Sequence, residues 1–115
     1  MRAALFEAPG QPLVIGEVEA PQPQPTDLLV QVKAVGLNPV DYKRRLSTEL
    51  TVLGWDAAGV VESVGDETSL FKVGDEVFYA GDVLREGCDS ELHAVDERVV
   101  GRKPTNISYA EAAAM

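Results

Sequence analysis

Glycines at positions 54, 59, 65 and 74 cut the stretch 54–79, GWDAAGVVESVGDETSLFKVGDEVFY, into short apolar runs. None of these runs reaches the roughly 10 to 12 residues of an ordinary helix, and Val and Phe favour extended backbone. Gly65-Asp66 and Gly74-Asp75 are turn dipeptides, so the runs 60–64, 71–73 and 77–79 read as strand-like pieces between turns. The pattern predicts a compact β barrel or sandwich and argues against a helical domain.

The flanking sequence continues the theme. Residues 2–6 form a short apolar run ended by Pro9-Gly10. Residues 13–19 alternate, with Leu13, Ile15 and Val18 expected inward and Glu17 and Glu19 outward. Prolines 21, 23 and 25 favour an extended connector. Residues 28–37 give the clearest strand, with Leu28, Val30, Val32 and Ala34 on one face. Asn38 and Pro39 then suit the cap and first turn of a short helix, with Asp41 near its positive end. Residues 80–91 are a glycine-punctuated loop of the length that tends to carry function. Two more strands are expected at 92–95 and 99–101, and Pro104 ends the second. Ser108 and Glu111 form a capping box for a helix starting near Tyr109. The chain stops in an alanine run with no closing glycine, as expected of a boundary inside a longer protein.

The length of 115 residues suits one domain, and a 45% hydrophobic content supplies a core without a disulfide. The formal net charge is −9, concentrated in the second half, which disfavours binding to a phosphate backbone. Lys43, Arg44 and Arg45 are the one basic cluster, read as a solvated face or a local anion contact. A single cysteine, Cys88, allows no internal disulfide. The start lacks a signal-peptide pattern and no run of about 20 apolar residues occurs, so no membrane span is expected and the expected location is cytoplasmic.

Candidate chemistry is sparse. A structural zinc site needs three or four ligands, and the chain has one Cys and one His, Cys88 and His93. His93 reads as a strand residue facing solvent or serving as a hydrogen-bond partner. No G-x-S-x-G nucleophile turn and no G-x-G-x-x-G nucleotide loop is present. Asp41 and Asp56 are carboxylates suited to caps, turns or a shared proton. Trp55 is either core filler or the wall of a cleft, and its indole N–H needs a partner if buried.

The segments 35–41 (VGLNPVD), 54–61 (GWDAAGVV), 64–65 (VG), 71–77 (FKVGDEV) and 112–114 (AAA) resemble the N-terminal, GroES-like domain of medium-chain dehydrogenase/reductases. The resemblance covers essentially the whole chain and implies a mainly β fold, a partly open GroES-like β-barrel with short helices. In the superfamily's zinc-dependent members, a catalytic Cys stands at the position matching Asn38 and a His at the position matching Trp55, followed by a Glu matching Asp56. Both metal ligands are replaced here, and the four-cysteine structural lobe is missing. The resemblance therefore points to the zinc-independent branch, similar to quinone oxidoreductases.

It implies an NADPH-dependent enzyme that acts on a carbonyl, enone or quinone and needs no metal. By that resemblance Asn38, Asp41 and Tyr42 are the catalytic candidates, and Trp55 and Asp56 border the substrate. Asn38 and Lys43 face the cofactor. Most of the NADPH contacts would come from a Rossmann domain expected after residue 115, so residues 1–115 are read as a substrate domain that is inactive alone. A homodimer or homotetramer is expected of the whole protein, with no nucleic-acid or membrane partner. A zinc-dependent alcohol dehydrogenase and a non-catalytic GroES-like interaction domain are the competing expectations.

Overall fold

The computed structural model describes residues 1–5, 13–37, 52–82 and 85–114. The proposed helix at Asn38 and Pro39 lies outside them. Two strands, β1 (Arg2–Leu5) and β2 (Val14–Glu17), pair antiparallel as a small sheet. The main sheet is built from β3 (Asp27–Gly36), β4 (Asp56–Val64), β5 (Glu76–Ala80), β6 (Leu92–Asp96) and β7 (Val100–Arg102). Its strand order is β6-β3-β4-β5-β7, and every pairing is antiparallel. The sheets do not close into a complete barrel, so the fold is an open GroES-like β-domain with short helices.

Alternation in β3 becomes burial as expected: Leu28 and Val30 are fully buried, whereas Gln31 and Lys33 are exposed. They join Ala57, Val61, Val77, Tyr79, Cys88 and Val95 in the main core. The run of small residues in β4 has a different cause. Ala57 faces that core, and Ala58 faces the helix α1 (Tyr109–Ala113), where it packs on Ala112 and Ala113. Both faces of β4 are covered, so neither has room for large side chains. Gly36 of β3 sits under the same helix, and a Cβ there would collide with the Ala113 carbonyl.

The helix starts where the sequence indicated. Ser108 Oγ accepts from the Glu111 N–H at 3.1 Å, and Glu111 accepts from the Ser108 N–H at 3.0 Å. The Gly74 turn is also as read: Gly74 has φ +94°, the Lys72 N–H donates to the Asp75 carboxylate, and the Gly74 N–H donates to Val61 O at 2.8 Å.

Two expectations are corrected. Ile15 is 66% exposed instead of facing inward. Among the described residues β2 pairs with β1 alone, in a two-stranded sheet whose Ile15 face is left open. Residues 71–73 form no strand, because the Lys72–Asp75 turn takes the backbone groups that a ladder would use.

Candidate functional site

Asn38, Asp41, Tyr42 and Lys43 lie outside the described residues. Trp55 and Asp56 lie within them, at the entry to β4. Asp56 is half-buried and pairs across the sheet with Gly36 on one side and Ala80 on the other. Trp55 is 2% exposed and packs with Leu53 and Leu13. Its indole N–H donates to Arg85 O at 3.3 Å, which supplies the partner a buried indole requires.

The 81–91 loop holds this entry segment by its backbone. Gly87 N–H donates to Val52 O, Cys88 N–H to Gly54 O, and Asp89 N–H to Leu53 O, at 2.7 to 2.9 Å. Gly81 N–H donates to Trp55 O at 2.6 Å, and Val52 N–H reaches the Glu86 carboxylate at 2.6 Å. Gly54 has φ +95°, and a Cβ there would collide with the Asp89 carboxylate. A side chain at 54 is excluded twice, by conformation and by space.

The loop is in turn fixed to the sheet by two polar pairs that the sequence did not reveal. Arg85 meets the Asp27 carboxylate with two parallel bonds of 3.0 and 2.7 Å. Asp27 is 1% exposed and also accepts from Gln24 N–H. Burial by itself would raise the Asp27 carboxyl. The Arg85 bond and the Gln24 N–H outweigh it, and the carboxyl stays below its usual range.

The second pair joins β5 to β6. The Tyr79 hydroxyl lies 2.7 Å from His93 Nδ1, and His93 Nε2 lies 3.1 Å from Glu86 O. A carbonyl can only accept, so Nε2 carries the proton and Nδ1 accepts from Tyr79. Burial pushes the Tyr79 hydroxyl well up, which keeps it a donor. Burial also lowers His93 to about 4, helped by the nearby Arg85 charge. The only sequence sign of this pair was a tyrosine and a histidine on short predicted strands. Those strands are not neighbours in the sheet, and only its curl brings the rings to 5.6 Å in a stacked arrangement.

Removing Asp27 should be costly for this reason. Asp27→Ala is expected to lower unfolding stability by about 2–3 kcal/mol. That is below the usual range for breaking a fully buried ion pair, because Arg85 keeps some contact with water. Urea denaturation of the variant against the parent chain measures it.

Among the described residues, neither His93 nor Cys88 is placed to hold zinc. Both ring nitrogens of His93 are engaged, and Cys88 Sγ is buried and directed at Asp56 O at 3.7 Å. Among the described residues no group of three or more His, Cys, Asp or Glu could hold a metal ion. Every strand pair among the described residues is antiparallel, so they contain no βαβ unit of the dinucleotide-binding kind. Nor do they include a helix long and apolar enough to cross a membrane.

The described residues form an open antiparallel β-domain of the GroES-like class, with a loop clamped over the Trp55-Asp56 entry to its central strand. A profile described as "Alcohol dehydrogenase GroES-like domain" matches residues 24–114, and the chain belongs to that family, the N-terminal domain of medium-chain dehydrogenase/reductases. A zinc-type alcohol dehydrogenase-like protein of Staphylococcus aureus (strain COL) is 40% identical over 100% of this chain and 37% of its own length. A 2-methylene-furan-3-one reductase of Solanum lycopersicum is 41% identical over 85% of this chain and 29% of its own. The crystal structure of Escherichia coli quinone oxidoreductase complexed with NADPH aligns with a TM-score of 0.87 at 28% identity, over 98% of this chain and 36% of that one. The chain thus spans just over a third of the length of the Staphylococcus relative.

Proposed function

We propose that the whole protein carrying this domain reduces quinones or enones with NADPH, by hydride transfer that needs no zinc. The carrying observation is the pair Asn38 and Trp55, an amide and an indole standing where zinc-using members of the superfamily carry a thiolate and an imidazole. Two relatives support the substrate class: one is named for an unsaturated furanone, the other is a quinone oxidoreductase crystallised with NADPH.

The chemistry is consistent with a metal-free site. A quinone or enone is already activated by conjugation, so hydrogen-bond donors suffice to stabilise charge developing on its oxygen. When bound, the reduced nicotinamide supplies the hydride. Asn38 and Tyr42 are proposed to donate to the substrate oxygen, with Asp41 supporting them. Lys43 is proposed to face a cofactor phosphate. Trp55 and Asp56 would border the substrate, with Trp55 excluding water. Most cofactor contacts would come from a Rossmann domain following this one.

The test is steady-state NADPH oxidation by the full-length protein with a simple quinone and a simple enone, with and without a zinc chelator. Turnover that survives chelation, and falls at least about tenfold in Asn38→Ala for loss of one oxyanion donor, is expected. Turnover that depends on stoichiometric zinc would overturn the proposal. The 115-residue chain alone is expected to show no turnover.

A further inference from the structure

We infer that the Tyr79–His93 and Asp27–Arg85 pairs act together as a positioning device for Trp55, with residues 85 and 86 as the part they hold. The inference rests on the reading that Trp55 borders the substrate pocket, and it adds the residues that fix its place.

The wiring is specific. Arg85 sends its side chain to Asp27 on β3, while its carbonyl accepts the Trp55 indole N–H. Glu86 sends its carboxylate to Val52 N–H, while its carbonyl accepts His93 Nε2–H. Two consecutive residues therefore tie the sheet, through their pairs with Asp27 and His93, to the segment 52–55. A shift of the 85–86 backbone that breaks the His93 bond also displaces the acceptor of the indole. An indole has a single N–H donor, and in Trp55 it goes to Arg85 O, so loss of that acceptor frees the ring's polar edge. A cavity of about 600 Å³ opens beside Val52, Arg85, Glu86, Gly87, Leu92 and His93, giving this part of the loop room to move.

His93 also makes the device responsive to acid. It is faced by Tyr79 from β5, by Asp27 from β3, and by Arg85 and Glu86 from the loop. Cys88 acts on Tyr79, and Asp82 and Asp96 act on Arg85. A second ring proton would fall on Nδ1, directly against the proton of the Tyr79 hydroxyl, in a buried site next to the Arg85 guanidinium. The tyrosine would have to turn its proton away and the charge would lack a partner. Movement of the 85–86 turn toward water would hydrate the charged ring and withdraw the Arg85 guanidinium from it.

Trp55 is the chain's single tryptophan, so its emission and its quenching by acrylamide report this segment alone. The proteins compared are the parent chain, His93→Gln, His93→Ala and Tyr79→Phe, with far-UV circular dichroism as the control for folding. His93→Gln retains an N–H for Glu86 O and is expected to leave Trp55 shielded at pH 7. It is also expected to abolish the parent's rise in quenching as pH falls from 6.5 toward 4. His93→Ala is expected to raise quenching several-fold at pH 7 with the circular dichroism unchanged. Unchanged quenching in a folded His93→Ala, or an acid response retained in His93→Gln, would refute the inference.

Should His93→Ala not fold, Tyr79→Phe decides. Loss of the hydroxyl removes a bond that favours the neutral ring, so the acid response should move to higher pH, and an unmoved midpoint counts against the device. Failure of the proposed reductase reaction would leave these fluorescence outcomes unchanged, so the two readings fail separately.

Discussion

Gly59→Val is expected to destabilise the chain by at least about 4 kcal/mol, a large part of the 5–15 kcal/mol typical of a domain. Gly59 lies in the middle of β4, opposite Val32 of β3 and Val77 of β5. A Cβ at this position would collide with the Gln31 carbonyl oxygen and stand 2.8 Å from Val30 Cγ1. The first of these is backbone, in a strand that is hydrogen-bonded on both sides, so it cannot turn aside as a flexible side chain would. The ladder must open or the register must move. Thermal unfolding should show a midpoint lower by at least about 15 °C for a domain of this size. A Gly59→Val protein within about 1 kcal/mol of the parent would show that the strand contact yields easily, contrary to this account.

The second large effect is a pH dependence. His93 is the chain's single histidine, and burial lowers it from 6.5 to about 4 in the folded state. Above pH 6.5 both folded and unfolded chains carry it neutral, and stability is at its full value. As pH falls below 6.5, the unfolded chain takes up the proton while the folded chain refuses it. Stability therefore declines until the folded histidine also titrates, near pH 4, by roughly 3 kcal/mol in all. Carboxylates act lower. Asp27 is held below its usual range and Asp96 well below it, the latter mainly by Arg98, so their contributions are lost only as pH falls past the ordinary carboxylate value. Urea midpoints at pH 7, 5.5 and 4.5 isolate the histidine. His93→Gln should flatten the decline over that interval, and a slope that persists in that variant would assign it to other groups.

Much of the architecture could be read from local pattern. Residues 28–37 and 92–95 became β3 and β6 because alternation or a short apolar run met a buried face on the expected side. The Ser108–Glu111 box started a helix because its hydrogen bonds lie within four residues. Ile15 failed because alternation tells which side chains share a face and not whether another layer covers that face. The segment 71–73 failed because a run of three apolar-leaning residues does not show that its N–H groups are already committed to a turn.

The site divides along the same line. The amino-acid order alone put Trp55 and Asp56 between Gly54 and Gly59, ahead of a run expected to be extended only from residue 60, and it showed that the chain has one thiol and one imidazole. That β4 already begins at Asp56 was decided by the fold. The amino-acid order set the small residues of β4, the capped helix and the turn at Gly74. Tertiary structure decided that Trp55 is fastened to Arg85 O, that Asp27 and Arg85 form an ion pair, and that Tyr79 and His93 share a hydrogen bond. Those partners are 30, 58 and 14 residues apart, and no local periodicity links them. They meet because an open sheet curls and a loop folds back over it, and that geometry is fixed by burial of the whole core.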